Sequence, residues 1–209
     1  MERICVFAGS KEGIKPAYLE AASELGKTLA ENKKILVYGG GSKGLMGELA
    51  SGSLKAGGRV EGIITQQLND IEVAHKNLSE IVIVKTMHER KNLMASKSDA
   101  IICLPGGVGT WEEVFEALAW NQLGIHSKPI IVLNISGYYK DLHKFIQNSV
   151  MEGFLPKSTY EDFFLLETII GPFWVWMVIK EQPSIETIQG GIVIILTLAI
   201  HSFLKLKKS

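Results

Sequence analysis

Two stretches of this chain carry the residue types that phosphate and sugar chemistry requires. Pro105-Gly106-Gly107-Val108-Gly109-Thr110-Trp111-Glu112-Glu113 sets three glycines ahead of a hydroxyl and a carboxylate, and Met87-His88-Glu89-Arg90-Lys91 sets a guanidinium beside an ammonium. Glycine lets backbone N–H groups come close to an anion, and the N-terminus of a following helix adds favourable partial charge. Two further turns have the same character, Ala8-Gly9-Ser10 and Gly39-Gly40-Gly41-Ser42-Lys43-Gly44. One such turn alone is as readily a tight strand-to-helix connection, whereas three converging ones suit a nucleotide phosphate. Arginine adds a planar fork of donors for phosphate or sugar. Glu113 has two readings. It could close a T-x-x-E capping box with Thr110, or, sharing a helical face with Glu116 at the glycine-rich rim, it could act on a bound sugar.

Other chemistries lack their residues. The G-x-x-x-x-G-K-[ST] spacing and a clean dinucleotide fingerprint are absent, as are an H-E-x-x-H metal pair and a G-x-S-x-G nucleophile elbow. Neither a metal nor a cofactor is expected.

The elements that must position these residues alternate. Apolar strand-like runs at Arg3 to Phe7, Ile35 to Tyr38, Val60 to Ile64, Ile81 to Val84, Ala100 to Leu104 and Ile130 to Leu133 are separated by helical segments at Pro16 to Glu31, Leu45 to Ala56, Met87 to Ser96, Thr110 to Leu123 and Tyr139 to Glu152. That alternation predicts an α/β fold, a Rossmann-like doubly wound parallel sheet covered on both faces. Ligands of such folds lie beyond the carboxyl ends of the strands, where all three glycine turns fall.

Composition narrows the partners. Lys plus Arg is 22 and Asp plus Glu is 22 among 209 residues, so no basic field is available for a nucleic-acid backbone. Cys5 and Cys103 each sit in an apolar run outside any C-x-x-C pair, which predicts inert thiols in a reducing compartment. Met1-Glu2-Arg3-Ile4 enters a strand without the pattern of a secretory signal, so a cytoplasmic location is expected.

The paired signatures P-G-G-x-G-T-x-x-E (Pro105 to Glu113) and M-H-x-R-K (Met87 to Lys91) resemble those of the LOG family. Its members are cytokinin riboside 5'-monophosphate phosphoribohydrolases, many once mislabelled lysine decarboxylases. Tyr38-Gly39-Gly40-Gly41, Gly44-Leu45-Met46-Gly47, Glu72-Val73-Ala74-His75, Gln122-Leu123-Gly124-Ile125-His126 and Gly137-Tyr138-Tyr139 extend the resemblance to about Leu155. It implies hydrolysis of N6-modified AMP to a free base and ribose 5-phosphate, without a cofactor. Carried onto this chain, Arg90 and Glu113 become the catalytic pair. Gly106, Gly107, Gly109 and Thr110 would hold the phosphate, and Lys91 and Glu72 would contact the substrate. Gly9, Ser10, Gly40, Gly41, Met87 and Glu116 complete the expected binding set. Similar proteins are homodimers with sites near the subunit interface. Two other readings remain: a non-catalytic nucleotide-binding sensor, and a membrane protein whose α/β part is regulatory.

Beyond that resemblance the character of the chain changes abruptly near Asp162. The run from Phe163 to Ile179 is far more apolar than a surface helix, Lys180-Glu181-Gln182-Pro183-Ser184 interrupts it, and Thr187 to Leu204 is apolar again before Lys205, Lys207 and Lys208. A domain of residues 1–162 followed by an apolar helical hairpin over 163–209 is therefore expected. The hairpin resembles the last two helices of EamA-type drug/metabolite transporters. Each arm has about the 17 to 20 residues that cross a bilayer, which would tether the enzyme to the inner face of the membrane. The alternative is a soluble hairpin packed on the enzyme.

Overall fold

The structure is a computed structural model that describes residues 1–72, 74–161 and 163–166. Its strands are β1 (Arg3–Phe7), β2 (Ile35–Tyr38), β3 (Val60–Thr65), β4 (Glu80–Val84), β5 (Ala100–Cys103), β6 (Ile130–Leu133) and β7 (Phe163–Leu166). The helices are α1 (Pro16–Glu31), α2 (Gly44–Lys55), α3 (Gln66–Glu72), α4 (Met87–Ser96), α5 (Val108–Gln122), α6 (Lys140–Met151) and α7 (Lys157–Glu161). One seven-stranded sheet runs β4-β3-β2-β1-β5-β6-β7. Parallel ladders join each neighbouring pair from β4 across to β6, with Ile4 of β1 opposite Leu36 on one side and Ala100 on the other. Every residue of β3 and β5 is buried, because helices cover both faces; β5 accordingly reads as an unbroken apolar run, whereas β3 also buries the polar side chains of Glu61 and Thr65. In β4 the burial alternates, leaving Ile81 and Ile83 exposed at the sheet's edge.

Strand order reverses between β1 and β5, and the turns leaving these two strands lie side by side. Leu104 N–H donates to the Phe7 carbonyl at 2.9 Å and Gly9 N–H to the Pro105 carbonyl at 3.0 Å. A crevice at such a switch point is where ligands enter open α/β sheets. At the opposite, amino ends of the strands, Glu61 is fully buried and accepts from Arg3, from Arg59 Nε at 3.1 Å and from Lys97 Nζ at 3.2 Å. Burial would raise its carboxyl pKa, but these hydrogen bonds outweigh burial and hold it below the ordinary range.

The expected strands and long helices appear with ends shifted by no more than two residues. The short helices α3 and α7 have no counterpart in the sequence expectation, since a single or double turn carries too little periodicity to show. A correction falls at Phe163–Leu166, expected to open the apolar hairpin. These residues instead form β7 beside β6, with Phe163 and Leu166 buried, because an apolar run of four satisfies a sheet edge as well as it starts a helix. The remainder of the hairpin, residues 167–209, lies outside the described residues. Among the described residues no helix is long and apolar enough to cross a membrane.

Candidate active site

Arg90 reaches the site through a well-made helix start. Thr86 Oγ1 accepts from Glu89 N–H at 3.1 Å while Glu89 Oε2 accepts from Thr86 N–H at 3.2 Å, a reciprocal capping box that fixes the first turn of α4. From that turn Arg90 runs under the sheet's carboxyl edge. Its Nε donates to the Ile63 carbonyl at 3.0 Å and its Nη1 to Glu113 Oε1 at 2.9 Å. Both members of this pair are buried, 6 % and 8 % exposed, and each supplies the partner that a buried charge requires. Nη2 lies where a Cβ on residue 39 would be, so only glycine there admits the guanidinium.

The capping role considered for Glu113 does not occur. Helix α5 begins at Val108 with Gly107 as its N-cap and no side-chain cap, which places Thr110 inside the first turn and Glu113 on the turn after it. Its carboxylate is therefore free of capping duty and meets Arg90. Desolvation raises the Glu113 pKa, and the Arg90 charge and hydrogen bond only partly offset it.

The three glycine turns share one construction, in which their carbonyls are tied back. Gly9 O accepts from Met46 N–H at 3.3 Å, and Pro105 O accepts from Gly9 N–H. Gly40, at φ +79°, offers its carbonyl to His75 N–H at 3.1 Å, and Gly41 O accepts from the buried Tyr38 hydroxyl at 3.2 Å. Leu104 O accepts from the Tyr139 hydroxyl at 2.8 Å, and Gly106 O from the Tyr138 hydroxyl at 2.5 Å. Thr110 is buried against Gly106, where a Cβ would strike its side chain. Gly107 and Gly109 are exposed, and a Cβ on either would meet nothing within 4 Å.

Other expected residues are distributed less simply. Lys91 Nζ contacts Glu112 and lies 3.0 Å from Glu116 Oε1, so it straps α4 to α5. Burial disfavours its charge, but the two carboxylates outweigh that and raise its pKa. Met87 opens α4 and is half exposed. Glu72 ends α3, and its side chain lies outside the described residues. Ser10 lines a cavity of about 480 Å³ with Ser42, Lys43, Gly44 and Glu48, while Glu113, Lys91 and Glu116 border a far smaller one with Phe7 and Trp120. Gly39 and the tyrosines stand in motifs that the sequence shows, but the sequence alone gives none of them a place in the expected site. The T-x-x-E spacing of Thr86 and Glu89 is visible in the sequence, as is the Tyr138-Tyr139 pair, but not which carbonyls those hydroxyls bind.

A parallel sheet with its glycine turns gathered at a β1/β5 switch point, beside a buried arginine–carboxylate pair, defines a Rossmann-like α/β protein. The family model described as "Possible lysine decarboxylase" matches residues 46–170. The chain is 51% identical over 156 residues to the probable cytokinin riboside 5'-monophosphate phosphoribohydrolase LOGL9 of Oryza sativa subsp. japonica, a match covering 75% of this chain and 69% of that one. It is 48% identical over 157 residues to the cytokinin riboside 5'-monophosphate phosphoribohydrolase LOG5 of Arabidopsis thaliana, again covering 75% and 69%. Among solved structures, the molybdenum cofactor carrier protein of Chlamydomonas reinhardtii shares the fold with a TM-score of 0.64 at 23% identity, over 86% of this chain and 99% of that one. The chain belongs to the LOG family, the group that this lysine-decarboxylase-type model describes.

Proposed function

We propose that this protein hydrolyses the N-glycosidic bond of adenosine 5'-monophosphates, including N6-modified ones, and releases the free base and ribose 5-phosphate. The observation that carries this reading is the buried Arg90–Glu113 pair, 2.9 Å apart, which joins α4 to the helix that starts at the glycine-rich turn. The names of the relatives support it.

Breaking the bond between C1′ and the base nitrogen leaves the electron pair on the base and develops positive charge on the ribosyl ring. The Glu113 carboxylate stabilises that charge and takes a proton from the attacking water, whose oxygen bonds to C1′; the departing base gains a proton. Burial raises the Glu113 pKa, which makes its carboxylate a stronger base toward water than an ordinary glutamate. Arg90 orients the substrate and holds the carboxylate in place. Amides of Gly106, Gly107 and Gly109, with the Thr110 hydroxyl, receive the phosphate. Gly9, Ser10, Gly40, Gly41, Glu72, Met87, Lys91 and Glu116 border or support the bound nucleotide.

Val108, Trp111 and Phe115 form an exposed apolar stripe along α5, continued by Leu123 and Ile125, and it supports a homodimer that buries this face. The buried free thiols Cys5 and Cys103 support a cytoplasmic setting. The test is base release from a panel of nucleoside monophosphates, with free nucleosides as controls. Release from AMP or N6-isopentenyl-AMP, and far less from the nucleosides, is expected; binding without release would leave a sensor.

A further inference from the structure

The turn after β6 contains a tyrosine that stands outside the catalytic pair and the expected binding set. Tyr138 is edge-on to Tyr139, ring centroids 4.8 Å apart, and to Tyr18 of α1 at 5.9 Å, so its ring is fixed by elements on both sides of the switch point. From there its hydroxyl donates to the Gly106 carbonyl at 2.5 Å. We propose that Tyr138 is a positioning residue for phosphate recognition, holding the Gly106–Gly107 peptide so that the Gly107 N–H faces the phosphorylated end of the substrate.

In a trans peptide the C=O of one residue and the N–H of the next point in opposite directions. Fixing the Gly106 oxygen on Tyr138 therefore turns the Gly107 N–H away from that ring. Gly107 is exposed there, with open space beside its α-carbon of the kind an anion needs. A peptide between two glycines has the widest rotational freedom of any, so without a tether it would sample orientations that present the carbonyl oxygen to the anion. Tyr139 cannot serve instead, because its hydroxyl is engaged by Leu104 O, deeper in the turn. One other glycine turn shows the same device, with Tyr38 holding Gly41 O.

The inference depends on the proposed function, and the experiment separates the two. Tyr138→Phe keeps the ring contacts and removes only the hydroxyl. Kinetics on AMP and adenosine, titration calorimetry with ribose 5-phosphate and thermal melts would be compared with the parent. The melting temperature is expected to hold, while KM for AMP and Kd for ribose 5-phosphate rise about tenfold, the worth of one hydrogen bond to a charged group. The kcat for AMP and the slow hydrolysis of adenosine should change by less than about twofold, on the same grounds. Equal ribose 5-phosphate affinity in both proteins would overturn the role of Tyr138 and leave the proposed function standing. A lower melting temperature with equal losses on AMP and adenosine would also overturn it, making the residue merely structural. A parent protein that neither binds ribose 5-phosphate nor releases base would remove the functional reading and this inference with it.

Discussion

The Gly39 α-carbon and the Arg90 guanidinium adjoin so closely that a methyl group on the former would overlap Nη2 of the latter. The obstacle is the far end of a flexible side chain, so the conflict is relieved by moving the guanidinium rather than the backbone. Gly39→Ala should therefore keep its backbone, but as Arg90 leaves Glu113 the buried pair is broken, so the variant should lose about 3 kcal/mol of stability and drop kcat/KM by about 10²-fold. Steady-state kinetics beside a thermal melt decide it, and parental kcat/KM would show that the position of Arg90 is immaterial.

Glu113 links activity and stability with opposite signs. Its folded-state pKa is raised, so the folded form is favoured when it is protonated; that contribution is complete below the unfolded pKa and is lost as pH rises through the folded one. If catalysis uses the carboxylate, as proposed, the acidic limb of kcat/KM should lie above that of an ordinary glutamate. Glu113→Gln should erase the limb and cut kcat by about 10²–10⁴-fold, while its amide oxygen still accepts from Arg90. The variant should melt at or above the parent at pH 7. A pH profile that survives the substitution would assign the proton transfer elsewhere.

Lys91 ties α4 to α5. Its ammonium is largely shielded, whereas Glu112 is half exposed, so the link to Glu116 should dominate. A double-mutant cycle of Lys91→Met with Glu116→Gln in urea is expected to give a coupling of about 0.5–1 kcal/mol. No measurable coupling would show that the two helices are held together by apolar contact alone.

The ionic cluster round Glu61 should govern acid sensitivity. Its depressed pKa means that its stabilisation is present above the unfolded-state pKa and is lost as pH falls through the folded one. Glu61→Gln should destabilise the protein by about 2–3 kcal/mol at pH 7, less than for a wholly buried pair because Arg3, Arg59 and Lys97 reach solvent. The difference should narrow as pH falls below the unfolded-state pKa and on through the depressed folded one, where the parent carboxyl protonates too. Denaturant melts at two pH values test this; a gap that stays constant would rule it out.

Much of the fold is legible in the sequence. Helix α1, with Pro16 in its first turn, and strands β1, β2 and β6 have the limits that apolar periodicity predicts. The placing of Arg90 and Glu113 at one rim is legible too, because both follow strands of a parallel sheet. Contact at a distance is not: Ile63 O as the second partner of Arg90, Gly39 as the space it occupies, and tyrosine hydroxyls on glycine carbonyls. Such pairings depend on how loops from separate strands meet, which local pattern does not encode. The edge strand Phe163–Leu166 escapes for a different reason, since a short apolar segment is compatible with either helix or sheet until its neighbour is known.

The charged cluster and the glycine turns occupy opposite edges of the same parallel sheet, at the amino and the carboxyl ends of its strands, with a close-packed apolar layer between them. Heat resistance and turnover should thus be separable traits in this molecule. Selection, or an engineer, can rework Arg3, Arg59, Glu61, Glu80 and Lys97 for robustness in a harsher environment without touching the choice of nucleotide.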